Sequence, residues 1–322
     1  MRMRGRLPLV AALGVCLAVL GGCSLATGSS PSVTTDTGPV QRIESLPGTD
    51  VIQPGDGSGD LRLVGLHSKA IGRTDSYLIY LPPGYQSMAA SGVRFPVLYT
   101  LHGDGNHGTH SALHLFESGR VGPTSSELYS SGQLTPMVIV IPNLAGQNSD
   151  SDTEWANTHR GRYESALLQM VHSVDSTWPT IANRSGRGIS GPSMGAYGAV
   201  NVGLRHLGLF STIESWSGYF NQTRTGPYVG ASRKLLRATS PAVYVHQLHG
   251  TLKTRPIHVL LYDSPTDAFA DEQGPFARTL RSFGVPVTAK LFSGRHNFDL
   301  WSAHMALALK FADRHLSNAR SH

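Results

Sequence analysis

The sequence predicts an α/β architecture, a mostly parallel central sheet with helices on both faces, and three observations carry that prediction. A pair of alternating segments opens the folded part. Short continuous apolar runs bounded by turn residues follow, as buried parallel strands require. Between them lie stretches with helical apolar spacing, so strand and helix alternate along the chain.

Taken in order, Leu61 to Leu66 and Ser76 to Leu81 alternate as paired strands do, and the second closes on the turn Pro82-Pro83-Gly84-Tyr85. Val97-Leu98-Tyr99-Thr100-Leu101 is the first buried run, followed at once by His102-Gly103-Asp104-Gly105. Met137 to Ile141 is the second, stopped by Pro142-Asn143. Tyr163 to Val174 places Leu167, Leu168, Met170 and Val171 on one side of a helix. Phe210 to Ile213 leads towards Trp216, and Ile257 to Tyr262 is a third buried run. Gly274 to Phe283 reads as a helix, Val285 to Phe292 as the last strand, and Asp299 to Leu316 as one closing helix. In sheets of this kind, sites gather at the carboxyl ends of the strands.

Residues 1–22 have a basic start and an apolar run from Leu7 to Leu20, too short for a membrane span and right for a signal peptide. The run closes on Leu20-Gly21-Gly22-Cys23, a lipobox pattern that predicts a lipidated Cys23 and a membrane-anchored, exported protein. A simple secretory signal with an incidental cysteine is the alternative. Cys16 lies in the segment expected to be removed, so no disulfide is available to the mature chain. Residues 23–60, rich in Ser, Thr, Gly, Pro and Asp, read as a lipidated cysteine and flexible tether. Residues 61–316 form one domain and 317–322 a tail. The net charge of +6 includes Arg2, Arg4 and Arg6 and falls to about +3 without them. A balance so mild, with no Lys/Arg stripe, gives no reason to invoke nucleic acid. Nothing here fixes an oligomeric state.

Gly191-Pro192-Ser193-Met194-Gly195 is a G-x-S-x-G sequence, the pattern of a serine held on a sharp strand-to-helix turn. Such a turn excludes side chains two positions either side, hence the glycines, and the following Ala196 to Val200 suits a helix start. A helix start presents backbone N–H groups, Met194 first, to a developing oxyanion. A serine hydroxyl needs a base, and the base an acid to orient it. Of the histidines after Ser193, only His296 falls in a loop just past the last predicted strand. Asp267 and Asp263 both follow the third buried run; Asp267 is the favoured acid, because Asp263 is placed to serve the turn before Ser264-Pro265. Asp271 and Glu272 read as first-turn helix charges. The second oxyanion donor belongs in the turn after the first buried run, where the Asp104 N–H is the candidate. No zinc-type His/Cys spacing and no phosphate loop occurs, so no metal or organic cofactor is expected.

Four segments together resemble the putative-esterase family of α/β-hydrolases, which includes esterase D, enterochelin and feruloyl esterases and the antigen 85 mycolyltransferases. They are Tyr80-Leu81-Pro82-Pro83-Gly84-Tyr85, Phe95 to Gly103, Gly191 to Ala199, and Gly294-Arg295-His296-Asn297-Phe298-Asp299-Leu300-Trp301. The resemblance spans about residues 61–316. It implies an α/β-hydrolase fold, Ser193 as nucleophile, His296 as base, Asp267 as acid, and the N–H groups of Met194 and Asp104 as oxyanion hole. Pro192, Ala196 and Asp104 depart from the family's usual residues, and the acid loop is one residue short.

The expectation is therefore a serine esterase acting on an ester or acyl-lipid substrate through an acyl-enzyme. An acyltransferase of the antigen 85 type acting on cell-envelope glycolipids, and a non-catalytic envelope binding protein on the same fold, are the alternatives. A peptidase is a weaker reading. The stretch from Asn221 to Pro256 mixes Arg, Lys, Gly and Tyr and suggests a small lid or acceptor surface, with Tyr228, Arg233 and Arg237 facing solvent.

Overall fold

The computed structural model describes residues 49–53, 59–105, 111–144, 152–318 and 320–321. The expected signal peptide, Cys23 and most of the expected tether lie outside these residues. The strands are β1 Thr49–Gln53, β2 Asp60–Ser68, β3 Arg73–Leu81, β4 Val93–Arg94, β5 Val97–Thr100, β6 Val138–Pro142, β7 Asn157–Thr158, β8 Gly161–Arg162, β9 Arg187–Ser190, β10 Thr212–Trp216, β11 His258–Asp263, β12 Val287–Leu291 and β13 Arg320–Ser321. The helices are α1 Tyr85–Ala90, α2 Ser111–Glu117, α3 Val121–Ser130, α4 Tyr163–Thr177, α5 Met194–Arg205, α6 Arg233–Thr239, α7 Pro241–Tyr244, α8 His249–Thr254, α9 Ala270–Ser282, α10 Phe298–Ala303 and α11 Met305–His315.

Nine strands make one sheet in the order β1-β2-β3-β6-β5-β9-β10-β11-β12. The β1–β2, β2–β3 and β3–β6 pairs are antiparallel and the rest parallel, so the sheet is parallel where it is most buried. Successive strand residues point to opposite faces, and the core divides accordingly. Val97, Tyr99, Val138, Val140, Val259 and Leu261 pack on one face with Leu167, Met170 and Val171 of α4, Val200 and Val202 of α5, and Phe276 and Leu280 of α9. Leu98, Ile139, Ile141, Leu260 and Tyr262 pack on the other with Leu115 and Phe116 of α2, Leu128 of α3, and Leu300, Trp301, Met305 and Leu309. Each such aliphatic side chain contributes roughly 1.5–3 kcal/mol on burial, and both faces must be covered.

Besides shifts of a few residues at strand and helix ends, four assignments differ from the sequence reading. Residues 49–53, expected in the tether, form β1: Thr49, Val51 and Ile52 are β-branched and the segment pairs with β2. Arg320 and Ser321 of the tail pair with β4. Helix α9 begins at Ala270, ahead of Gly274-Pro275, with Asp271 and Glu272 in its first turn favouring an early start. The closing helix is two helices, broken at His304.

Candidate active site

The turn after β9 carries Ser193 at φ 55°, ψ −121°, a strained conformation for a residue with a Cβ. Hydrogen bonds on both sides hold it there. The Ser193 N–H donates to the Trp216 carbonyl (2.9 Å), and the Trp216 N–H donates to the Gly191 carbonyl (3.0 Å). This pattern skips the N–H of residue 192, so a proline there forfeits no bond, which explains the Pro192 departure. A Cβ on either Gly191 or Gly195 would collide with the Leu101 carbonyl. Glycine is therefore required at both positions by close approach of the backbone.

His296 lies in the loop between β12 and α10, and Asp267 between β11 and α9. His296 Nδ1 stands 2.6 Å from Asp267 Oδ2, and His296 Nε2 stands 2.8 Å from Ser193 Oγ. A carboxylate can only accept, so Nδ1 carries the proton and Nε2 presents its lone pair to the serine hydroxyl. The Asp267 side chain is 1% exposed, and its other oxygen accepts the Phe269 N–H at 3.0 Å. The imidazole is gripped edge-on by two rings, Phe269 (5.8 Å) and Trp301 (5.3 Å). Asp263, the other candidate acid, is turned to its own loop, where it accepts the Ser264 N–H at 2.7 Å. Burial pushes its carboxyl up, and the neighbouring Asp267 charge adds to the effect.

Met194 opens α5, so its N–H has no carbonyl a turn behind it within the helix. The turn after β5 abuts the elbow: a Cβ on Gly103 would stand 3.3 Å from Ser193 Cβ and from the Pro192 carbonyl oxygen. Asp104 follows at the rim, exposed, lining one cavity with Ser193 and Met194. Behind this turn His102 is buried, and burial lowers its pKa. Its carbonyl accepts the Trp155 indole N–H at 3.0 Å.

The cavity beside Ser193 has a volume of about 240 Å³, and its remaining walls include Asp152, Glu154, Tyr219, Gln222, Phe269 and Glu272. Glu154 is 7% exposed. The Tyr219 hydroxyl donates to its carboxyl at 2.7 Å and the Gln222 amide at 3.0 Å. Burial raises the Glu154 pKa to about 8, against the pull of those two donors. Glu154 (φ 50°) and Trp155 (φ 48°) are consecutive left-handed residues. Trp155 pays this strain back by filling the space over Gly198, where a Cβ would clash with the indole. Glu272 accepts from the Phe220 and Asn221 N–H groups at 2.7 and 2.9 Å, so it ties a loop as well as charging a helix start.

Sequence reasoning missed the cavity wall of Glu154, Tyr219, Gln222 and Glu272. They come from two loops and the first turn of α9 with no shared spacing, and only the juxtaposition of an acid with the aromatic Trp155 hints at a buried carboxyl. Tyr228 is a correction. It is buried rather than solvent-facing, its hydroxyl 3.3 Å from that of Tyr197, because a ring packs over α5 here. Arg233 and Arg237 are exposed as expected. Cys23 lies outside the described residues. Among those residues no group of three or more His, Cys, Asp or Glu is arranged to hold a metal ion.

This strand order, with a serine on the turn after β9 and the acid and histidine after β11 and β12, defines an α/β-hydrolase. A family model described as "Putative esterase" matches residues 68–312, and the chain belongs to that family. Among curated proteins it is similar to "Esterase Rv1288" of Mycobacterium tuberculosis, 26% identical over 159 residues, 47% of this chain and 30% of that one. It is also similar to an "Endo-1,4-beta-xylanase/feruloyl esterase" of Xylanibacter ruminicola, 24% identical over 176 residues, 53% of this chain and 22% of that one. The matches thus span less than a third of these relatives. Among solved structures, a ferulic acid esterase superposes with a TM-score of 0.69 at 23% identity, covering 80% of this chain and 98% of that one. An S-formylglutathione hydrolase from Agrobacterium tumefaciens superposes at 0.66 with 16% identity, covering 83% and 100%.

Proposed function

We propose that this protein is a serine esterase that hydrolyses carboxylic esters through an acyl-enzyme on Ser193. Ser193 Oγ attacks the ester carbonyl carbon as its proton passes to His296 Nε2, and Asp267 stabilises the imidazolium that forms. The carbonyl oxygen, now an oxyanion, is received by the N–H groups of Met194 and Asp104. Collapse of the tetrahedral species breaks the bond to the alcohol, which leaves with the proton from His296. Water, deprotonated by His296, then attacks the acyl-enzyme, and the acid departs as Ser193 regains its proton. The observation that carries this reading is the unbroken chain from Ser193 Oγ through His296 to buried Asp267, at 2.8 and 2.6 Å.

The small volume of the cavity, about 240 Å³, with carboxyl and amide side chains among its walls, supports hydrolysis of a compact ester over transfer of a long acyl chain, which would call for a longer apolar channel. The test is labelling with a fluorophosphonate, with the modified peptide mapped by mass. Label on Ser193, absent from Ser193→Ala and His296→Ala, is the expected result. A folded chain that takes no label would overturn the enzyme reading and favour a non-catalytic binding protein.

The pattern Leu20-Gly21-Gly22-Cys23 supports a further part of this proposal, export and anchoring by acyl chains on Cys23 to the extracytoplasmic face of a membrane. Cys23→Ala should move the protein from the membrane to the soluble fraction. Unchanged fractionation would sink the anchor.

A further inference from the structure

Between Glu214 and Asp263 the sequence contains no acidic residue, yet it holds Arg224, Arg233, Lys234, Arg237, Lys253 and Arg255. The whole-chain charge conceals this, because the acids are elsewhere. All six side chains are exposed. Among the described residues none of them has a carboxylate within ion-pair distance. They belong to one excursion of the chain between β10 and β11, through α6, α7 and α8. The end of α6 and the end of α8 both reach the last turn of α5. The Arg205 guanidinium donates to the Ala238 carbonyl at 3.2 Å, and Arg205, His206, Thr251 and Arg255 line a common groove of about 380 Å³.

Apolar side chains stand among the cations. Val229 is 63% exposed and Leu235 is 45% exposed, two of the three large hydrophobics exposed in the described chain. Helix α6 buries no residue at all, so its Arg-Lys-Leu-Leu-Arg sequence is not explained by the core. Cations at intervals around a protruding Leu and Val suit a surface that is anionic in its outer layer and apolar just beneath.

We propose that the α6–α8 excursion is a docking face for an anionic phospholipid bilayer. Each Lys or Arg near such a surface contributes roughly fivefold in affinity, and Leu235 and Val229 enter the headgroup boundary. Docking there sets the catalytic cavity close to the bilayer, because Arg224 lies between Thr223 and Thr225, which line it. The proposal requires neither the triad nor acylation of Cys23.

The test is co-sedimentation of the mature chain carrying Cys23→Ser, so that no acyl anchor contributes, with vesicles of phosphatidylcholine alone or with about one-third phosphatidylglycerol. Binding should require phosphatidylglycerol, weaken as salt is raised, and fall roughly 100-fold in Arg233→Glu/Lys234→Glu/Arg237→Glu. Leu235→Ser/Val229→Ser should weaken it further without altering its dependence on phosphatidylglycerol. Fluorophosphonate labelling and the thermal midpoint should stay as in the parent, showing that the variants fold. Equal binding to both vesicles, or phosphatidylglycerol binding indifferent to the triple variant, would overturn the proposal. Retention on a soluble polyanion such as polyphosphate with no vesicle binding would also overturn it, and would assign the face to that class of partner instead.

Discussion

The cavity wall and the α6–α8 face are built from connections between strands of the same sheet, yet they treat charge in opposite ways. The wall gathers carboxyl groups and buries or ties them: Glu154 takes two donors and Glu272 takes two backbone N–H groups. The face gathers cations and leaves them in water. A buried charge must find donors or give up its ionisation, and burial raises the Glu154 pKa despite its two donors. An exposed cation with no partner keeps its hydration and acts through its field. The first region suits selection and chemistry on a small group, the second suits attraction of a large anionic surface.

The largest effect should come from the two acids at and just beyond the end of β11. Asp267→Asn places an amide against His296 Nδ1 and disfavours the tautomer that frees Nε2, so ester turnover should drop by roughly 10⁴. Asp263→Asn, away from the imidazole, should cost less than tenfold. Turnover measured on the two variants with one activated ester decides the matter. A larger loss in Asp263→Asn would assign the acid's role to Asp263 and break the geometric reading.

Next in size is Gly195→Ala. Its Cβ would meet the Leu101 carbonyl and stand 2.8 Å from the His102 carbonyl, backbone that cannot swing aside. Destabilisation of a few kcal/mol is expected, with fluorophosphonate labelling slowed in whatever remains folded. A wild-type thermal midpoint in this variant would show that the elbow is looser than drawn.

Glu154 tests the wall through pH. The folded chain holds its proton up to about 8, whereas the unfolded carboxyl loses it near the usual 4.5. Between those values folding takes up a proton, so stability falls as pH rises. The contribution is full below about 4.5 and gone above about 8. Glu154→Gln cannot titrate, keeps two of the acceptor sites, and should flatten that slope. Urea midpoints at acid, neutral and alkaline pH measure it, and the two proteins should converge at acid pH and diverge by up to a few kcal/mol at the alkaline end. A constant offset across the range would show that Glu154 ionises normally.

The same contrast explains what the sequence disclosed. The strands were legible because parallel, doubly covered strands are short apolar runs, and Val97–Thr100, Val138–Pro142 and His258–Asp263 fall within a residue or so of those runs. Ser193, Asp267 and His296 were legible because each follows a strand end and the first sits between glycines that a tight turn demands. The wall was not, since Glu154, Tyr219 and Gln222 meet only in three dimensions. Tyr228 was misread because a lone aromatic in an Arg- and Gly-rich stretch carries no period to reveal its burial. The break at His304 was equally hidden: Leu300 and Trp301 on one side and Met305 and Leu309 on the other keep apolar spacing across it.

The smallest expected effect sharpens the comparison furthest. Leu235 is exposed on a helix that buries nothing, so Leu235→Ser should change folding stability by less than about 0.5 kcal/mol. Tyr219→Phe, on the wall, removes a hydroxyl that donates to a buried carboxyl and should cost roughly 1–3 kcal/mol. Leu235→Ser deletes exposed apolar volume and Tyr219→Phe a single hydroxyl, so the comparison sets an outward apolar group against a hydrogen bond to a buried carboxyl. Denaturant midpoints of the two variants, taken together at neutral pH, give the ratio directly. If Leu235→Ser proved as costly as Tyr219→Phe, Leu235 would be packing within the fold, and α6 would have a structural use in place of the outward one.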